Sequence, residues 1–338
     1  MSMESNSSKK GIASALAAAV AAVMVFFLAQ TMALAQDYPN KPIKLIVPWP
    51  AGGITDSGAR IFAHHLSLRF QKPVVVENKP GATGMIGAAF VAQSTPDGYT
   101  LLLASAETHG INVHTYSKLT YDPDKDFIPI APFVINPFSI VVRPDFPAAT
   151  IKELIDLSKA NPGKFSYASS GLGSGSQLAM ETFRMLANVD YLHIPYQGEA
   201  PALVAFMGAQ TDVQILSAGR ATALRKAGKV KVLAVMTTER YFDLPDIPTL
   251  KESGFDKANI ANWFGLMAPA KTPAAIVQRL YVESQAVVKS LEARTAFRGI
   301  GVEVYPPATR QEFQQFLEDE KNGWGAVIRR ANIKPEGK

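Results

Sequence analysis

The chain has 338 residues, 47% of them hydrophobic, no cysteine and a formal charge of +5. Without thiols there is no disulfide framework, no thiolate metal site and no cysteine nucleophile, so stability has to come from an apolar core. The positive excess is scattered and forms no basic stripe or interleaved aromatic run, which argues against nucleic acid as a partner and leaves only a mild attraction for small anions.

Lys9 and Lys10 precede a long Ala/Val/Phe/Leu run that ends in Ala33-Leu34-Ala35. A basic region, an apolar region and a small-x-small site make 1–35 a signal peptide cut before Gln36, with a retained membrane anchor as the alternative. The rest, about 300 residues, is expected to be an exported, periplasmic, soluble protein of about two domains.

After the leader, apolar β-rich runs alternate with helical patterns, the order expected of parallel strands joined by crossover helices. "IKLIVPW", "PVVVEN", "YTLLLAS", "FIPIAPFVI" and "FSIVVRP" read as strands. "TDSGARIFAHHLSLRF" and "GMIGAAFVAQS" read as helices, with Thr55 or Asp56 available as an N-cap. The helix "TIKELIDLSKA" follows, then strands "KFSYASS", "DYLHIPY", "TDVQILS" and "KVKVLAVMT" alternating with helices "SGSQLAMETFRMLAN", "APALVAFMGAQ" and "GRATALRKAG". The last block holds "NWFGLMAP", the long helix "TPAAIVQRLYVESQAVVKSL", strand "VEVYPP" and helix "RQEFQQFLEDEKNGWGAVIRRA". Two stretches, "APFVINPFSIVV" and "ANIANWFGLMAPA", stay strand-like for longer than one element needs. They fit two hinge strands around an inserted second domain; a single large α/β domain fits the pattern as well.

Glycine marks the turns "PAGGITD", "NKPGATGMIGA" and "SSGLGSGSQ". None matches the dinucleotide or phosphate-loop spacing, so nucleotides are not the expected ligand. The first and third turns each follow a strand and open a helix, where unpaired amides and the helix dipole suit a carboxylate. The second reads as a tight turn only. No nucleophile elbow or H-E-x-x-H pattern occurs, His64 and His65 read as helix-surface residues, and His193 reads as a structural histidine. No catalytic constellation emerges.

In order along the chain, "VPWPAGGITDSGAR", "VENKPGATGMIGAAFVA", "PDGYTLL", "YDPDKDFIPIA", "ANPGKFSYASSGLGS", "HIPYQGEAPAL", "AGKVKVLAV", "LPDIPTLKESG" and "WFGLMAPAKTP" resemble the signature segments of the Bug, or TctC-like, solute receptors. The resemblance implies an α/β, periplasmic-binding-protein-like fold: two α/β domains joined by two hinge strands, with the ligand cleft between them. Domain 1 would comprise 36–136 and 260–338, and domain 2 would comprise 137–259. It further implies capture of a small organic carboxylate and its delivery to the permease subunits of a tripartite tricarboxylate transporter, by a monomer with no cofactor, metal or catalytic step. Docking of the loaded protein on a membrane sensor kinase, and a periplasmic hydrolase, are readings from other classes.

By position, the resemblance places a carboxylate clamp on Ala51, Gly52, Gly53, Ile54 and Thr55, with Trp49 beside it, facing Ser169, Ser170, Gly173, Ser174 and Gly175. Ser105 and Thr108 of "ASAETHGIN", Tyr196 of "HIPYQG" and Ser217 complete the expected ligand-binding set, Tyr196 fitting a core position equally well. Asp56 is expected to cap its helix, since a carboxylate repels an anion. Gln177, Leu216, Glu107 and His109 depart from the family's usual residues. Leu216 with Trp49 would tolerate a ring or an aliphatic chain, and Glu107 would either supply a negative charge or point to solvent.

Overall fold

The computed structural model describes residues 38–255, 260–333 and 335; the expected leader and its cleavage point lie outside them. Four strands open the first sheet: β1 (Ile43–Val47), β2 (Val74–Asn78), β3 (Thr100–Ser105) and the long β4 (Phe127–Val142). Strand β9 (Ala261–Pro269) comes back between β3 and β4, and β10 (Glu303–Val304) pairs with β4, giving the order β2-β1-β3-β9-β4-β10. The β1 neighbours are parallel, whereas β9 is antiparallel to both β3 and β4.

The second sheet uses the other half of β4. Its order is β6-β5-β7-β4-β8, with β5 (Ser166–Ser169), β6 (Leu192–Pro195) and β7 (Val213–Ser217) mutually parallel, and β8 (Lys231–Val235) antiparallel to β4. β4 changes partners within one step: Pro137 is opposite Ala261 of β9, and Phe138 is opposite Ser217 of β7. The return connection crosses at the same place. The amide of Met236 donates to Phe138 at 2.8 Å, the amide of Ile260 donates to Met236 at 2.7 Å, and Ala261 then opens β9.

Side-chain alternation explains why the central strands are almost wholly apolar. Leu45, Val47, Leu101 and Leu103 enter one core, with Phe62 and Leu66 of helix α1 (Ile54–Phe70) beneath them. Ile46, Leu102 and Ala104 point to the opposite face and join a second core. A strand buried on both faces gains nothing from polar alternation. The first core is covered by α8 (Ala274–Lys289) and α9 (Leu291–Gly299). The second receives Phe313, Trp324, Val327 and Ile328 of α10 (Arg310–Arg330) and runs on through Phe138 and Ile140 to Tyr167 and Phe183 of the second sheet.

Three expectations need correction. "FIPIAPFVI" and "FSIVVRP" are one 16-residue strand: Pro137, between them, is the last residue opposite β9 before the partner becomes β7, and Pro129 and Pro132 sit beside register shifts in the ladder with β9. The long helix expected through Leu291 ends at Lys289, where Ser290 turns extended and accepts from the amide of Ala293 to cap α9. After β3 the chain enters a π-helical turn (Glu107–Ile111) and a short helix, α3 (Asn112–Thr115), which the apolar pattern did not show.

At the opposite side of β4 the two halves touch backbone to backbone. A Cβ on Gly219, in the first turn of α7 (Ala218–Lys226), would lie 2.3 Å from the carbonyl oxygen of Gly301, which follows α9. Only a bare backbone fits there. Gly219→Ala is therefore expected to lower stability by about 1–3 kcal/mol, read as a reduced midpoint in urea denaturation.

Candidate ligand-binding site

Every position selected from the sequence lies at the carboxyl end of a parallel strand or in the turn after it. Trp49 to Thr55 follow β1, Ser105 and Thr108 follow β3, Ser169 to Gly175 follow β5, Tyr196 follows β6 and Ser217 ends β7. In α/β sheets this is the edge where ligands bind, because turns there are free of the sheet and helix amino ends open onto it.

The turn after β1 is built around Asp56. Gly53, not Thr55 or Asp56, is the N-cap of α1 and offers no side chain. Asp56 reaches back instead, accepting from the Gly52 amide at 2.9 Å, Asn78 Nδ2 at 2.9 Å and Arg60 Nε at 3.0 Å. Burial by itself raises this carboxyl, yet the three donors hold it below its ordinary value. The turn it braces leaves Ala51, Gly52 and Gly53 exposed and Ile54 and Thr55 half-buried, while the half-buried Trp49 packs on the first core.

The turn after β2 leans on the first one. Lys79 donates its amide to Val47 at 2.8 Å, and a Cβ on Gly87 would meet Pro48 at 2.8 Å. Gly81, Ala82, Thr83 and Gly84 have successive φ values of 131°, 46°, 50° and 85°. Left-handed backbone at Ala82 and Thr83 costs roughly 1–2 kcal/mol per residue, strain of the kind that collects at functional sites. It presents the Thr83 hydroxyl to Tyr116 OH at 2.9 Å. A tight turn alone does not describe this segment; the alanine and threonine between its glycines are the signal, visible once their φ values are known.

After β3, Ser105 and Thr108 are fully buried and hold the π-turn together. Thr108 Oγ1 accepts from the Ser105 amide at 3.0 Å, and Ser105 Oγ donates to Glu107 Oε2 at 2.7 Å. Glu107 is 7% exposed and so does not point to solvent. Its Oε1 accepts from Asn262 Nδ2 at 3.2 Å, and burial raises the carboxyl above its ordinary value. Beside it, burial pushes Glu320 up to about 7, with both indole donors, Trp263 and Trp324, on one of its oxygens at 2.9 Å. Burial likewise depresses His109 to about 3.

In the second sheet, Ser174 caps α5 (Gly175–Ala187). The hydroxyls around it are committed to the turn: Ser174 donates to Gly171 at 2.7 Å, and Ser170 and Ser176 share a bond at 3.0 Å. Gln177 is a strut, accepting from the Gly173 amide at 2.7 Å while its amide nitrogen lies 3.3 Å from His193 Nδ1. Since that nitrogen donates, His193 carries its proton on Nε2, 2.7 Å from Ser169 Oγ. Burial lowers the pKa of this ring, with Glu181 opposing and Arg184 adding to the shift. Tyr196 is half-buried, its amide donating to the Ser169 carbonyl at 3.0 Å, and Ser217 caps α7. Leu216, 1% exposed, packs on Leu203 and Phe206 in a third core, so the tolerance for an apolar ligand expected of it has to come from elsewhere.

The two sets of strand ends meet. A Cβ on Gly173 would lie 3.2 Å from Thr115 Cγ2, and one on Gly175 3.4 Å from Glu107 Oε1. Beside this contact lies a cavity of about 330 Å³ walled by Thr83, Thr115 and Tyr116 from the first sheet's turns, by Leu172, Gly173 and Gln177 from the second's, and by Ala331, Asn332 and Ile333 beyond α10. Gly173 is the member of the expected set that forms its wall; the Ala51–Thr55 turn stands outside it, joined through the Gly81–Gly84 turn. No wall residue is charged, so the site offers hydroxyls and amides.

Two α/β lobes threaded by one strand, with glycine turns meeting at facing strand ends around an uncharged cavity, define a two-lobed binding protein. A family model described as the tripartite tricarboxylate transporter family receptor matches residues 59–333. The chain is 35% identical to a UPF0065 protein of Bordetella pertussis (strain Tohama I) over 93% of its own length and 97% of that protein's. Among solved structures, R. palustris Rpa4515 with adipate aligns with a TM-score of 0.79 at 32% identity, covering 88% of this chain and 100% of that one. The periplasmic binding protein BugD aligns at 0.75 and 35% identity, covering 88% and 100%. The chain belongs to the tripartite tricarboxylate transporter receptor family, whose members include the Bug proteins.

Replacing Gln177 with Ala strands the Gly173 amide and the His193 ring, and is expected to cost about 1–3 kcal/mol in urea denaturation. A second expectation concerns pH. The folded state holds a proton on Glu320 that the unfolded chain releases near 4.5, so its contribution to stability is full below 4.5 and is lost as pH rises through about 7. Glu320→Gln should therefore flatten the fall in melting temperature between those values.

Proposed function

We propose that the protein is an exported periplasmic solute receptor that binds a small organic carboxylate between its lobes, without changing it, and delivers it to the permease of a tripartite tricarboxylate transporter. The lobes are 36–136 with 260–338, and 137–259. The leader over 1–35 directs export; among the described residues no helix is long and apolar enough to cross a membrane.

One observation carries this reading: turns from the strand ends of both sheets border a single cavity whose polar groups are all neutral donors or acceptors. Several amides and hydroxyls aimed at one anion can replace its hydration shell without a counter-charge. Asp56 keeps the Ala51–Thr55 turn in place with its charge already satisfied, so that the exposed Gly52–Gly53 segment and the amino end of α1, outside the cavity itself, can meet a ligand that reaches beyond it. Binding across the lobes favours the closed arrangement, since each lobe supplies part of the donor set. The adipate in Rpa4515, a six-carbon dicarboxylate, supports an organic acid as the ligand and says nothing of how many charges this chain's ligand carries.

The test is differential scanning fluorimetry of the purified chain lacking 1–35 against mono-, di- and tricarboxylates. A ligand at about 100 times its Kd should add about 2.7 kcal/mol and raise the melting temperature by several degrees. A panel in which no carboxylate produces a shift would overturn the assignment, and a new product after incubation would point to hydrolysis.

A further inference from the structure

The apolar tolerance that Leu216 does not provide has another source. Leu172 stands on the turn after β5 between Gly171 and Gly173, whose φ values of 133° and 71° hold the backbone so that the side chain is 62% exposed at the cavity wall. From the other direction the segment after α10 is fixed by hydrogen bonds. Asn332 adopts φ 53°, its amide bonds back to Arg329, and the amide of Ile333 bonds back to Ile328 at 3.1 Å. This is the six-to-one and five-to-two pattern that closes a helix on a left-handed residue and returns the next side chain to the helix's last turn. It makes Ala331–Ile333 a fixed wall of the cavity, with Ile333 packed against the second core.

We propose that the cavity selects carboxylates with an apolar tail over those with a second charged group, and that Leu172 and Ile333 are the residues that make the selection. The proposal rests on the carboxylate-receptor reading above. The Thr83 and Tyr116 hydroxyls share one hydrogen bond at 2.9 Å, which leaves that pair one further hydroxyl hydrogen to give a carboxylate, whereas Thr115 already donates to Ile111 and the Gly173 amide to Gln177. A second carboxylate in the cavity meets no cation, and Glu107 stands behind the wall, 3.4 Å from a Cβ built on Gly175. Desolvating a charge without a partner is costly, whereas a methylene chain or a ring gains by covering Leu172, Ala331 and Ile333.

The experiment is calorimetric titration of the mature chain and of Leu172→Ser and Ile333→Ala with hexanoate, phenylacetate, malate and citrate. Leu68→Ser, which removes a comparably exposed leucine from α1, is the control. Hexanoate and phenylacetate should bind the parent more tightly than malate and citrate, and each cavity variant should weaken hexanoate about tenfold while the control does not. Leu172→Ser keeps the test valid should Ile333→Ala unfold, because Leu172 is exposed in the folded protein. Malate or citrate outranking the tailed acids, or Leu172→Ser binding hexanoate as the parent does, overturns the selection while leaving the receptor assignment intact. Absence of binding by all four acids, together with no shift across the wider carboxylate panel, overturns the assignment itself.

Discussion

The ladder along β4 is the constraint on which the other features depend. Its first part is bonded to β9 and its last part to β7 and β8, so one continuous backbone belongs to both sheets. Because the return path passes through Met236 and Ile260 at the same level, two adjacent extended segments join the halves there. Rotation about such a pair needs small changes at few dihedrals, while each lobe's own ladders stay intact.

Rigidity of the strand-end turns comes from polar groups turned inward. Ser105, Thr108, Ser169, Ser174 and Asp56 all use their side chains to fix the turn they belong to. What remains for a ligand is mostly backbone, whose direction is set by the turn and not by a rotamer. A site of this kind loses little ordering entropy when it binds, and a solute that must later be released gains nothing from a buried ion pair. Gln177 follows the same plan, its amide tying the glycine turn to His193 across α5 and β6.

Much of this was legible in the sequence. Alternation of apolar runs and helical spacing marked the strands, and the glycine-hydroxyl turns after β1 and β5 marked the edge where the site would be. The over-long "APFVINPFSIVV" signalled a strand serving more than one purpose, although Pro137 made it look like two elements; that proline stands where the strand passes from β9 to β7. Other features depend on tertiary context. The π-turn at Glu107–Ile111 lies under α10, whose Trp324 packs on Gly110, and no local pattern encodes a partner some 200 residues away. The wall at Ala331–Ile333 is likewise a matter of where a helix ends in space. Leu216, apolar and one residue from a strand end, faces the core because strand residues alternate faces, and identity alone does not say which.

The three tryptophans are not optically equivalent. Trp263 and Trp324 hand their indole hydrogens to the same oxygen of Glu320, so their emission is coupled to a proton that comes and goes near neutrality. Trp49 borders the turn after β1, whereas Trp324 also packs against Gly110 of the turn after β3. The intrinsic fluorescence of this protein is thus a sum of two indoles tied to one buried carboxyl under the C-terminal helix and a third beside the turn after β1, so a change in its colour with buffer acidity belongs to the first pair.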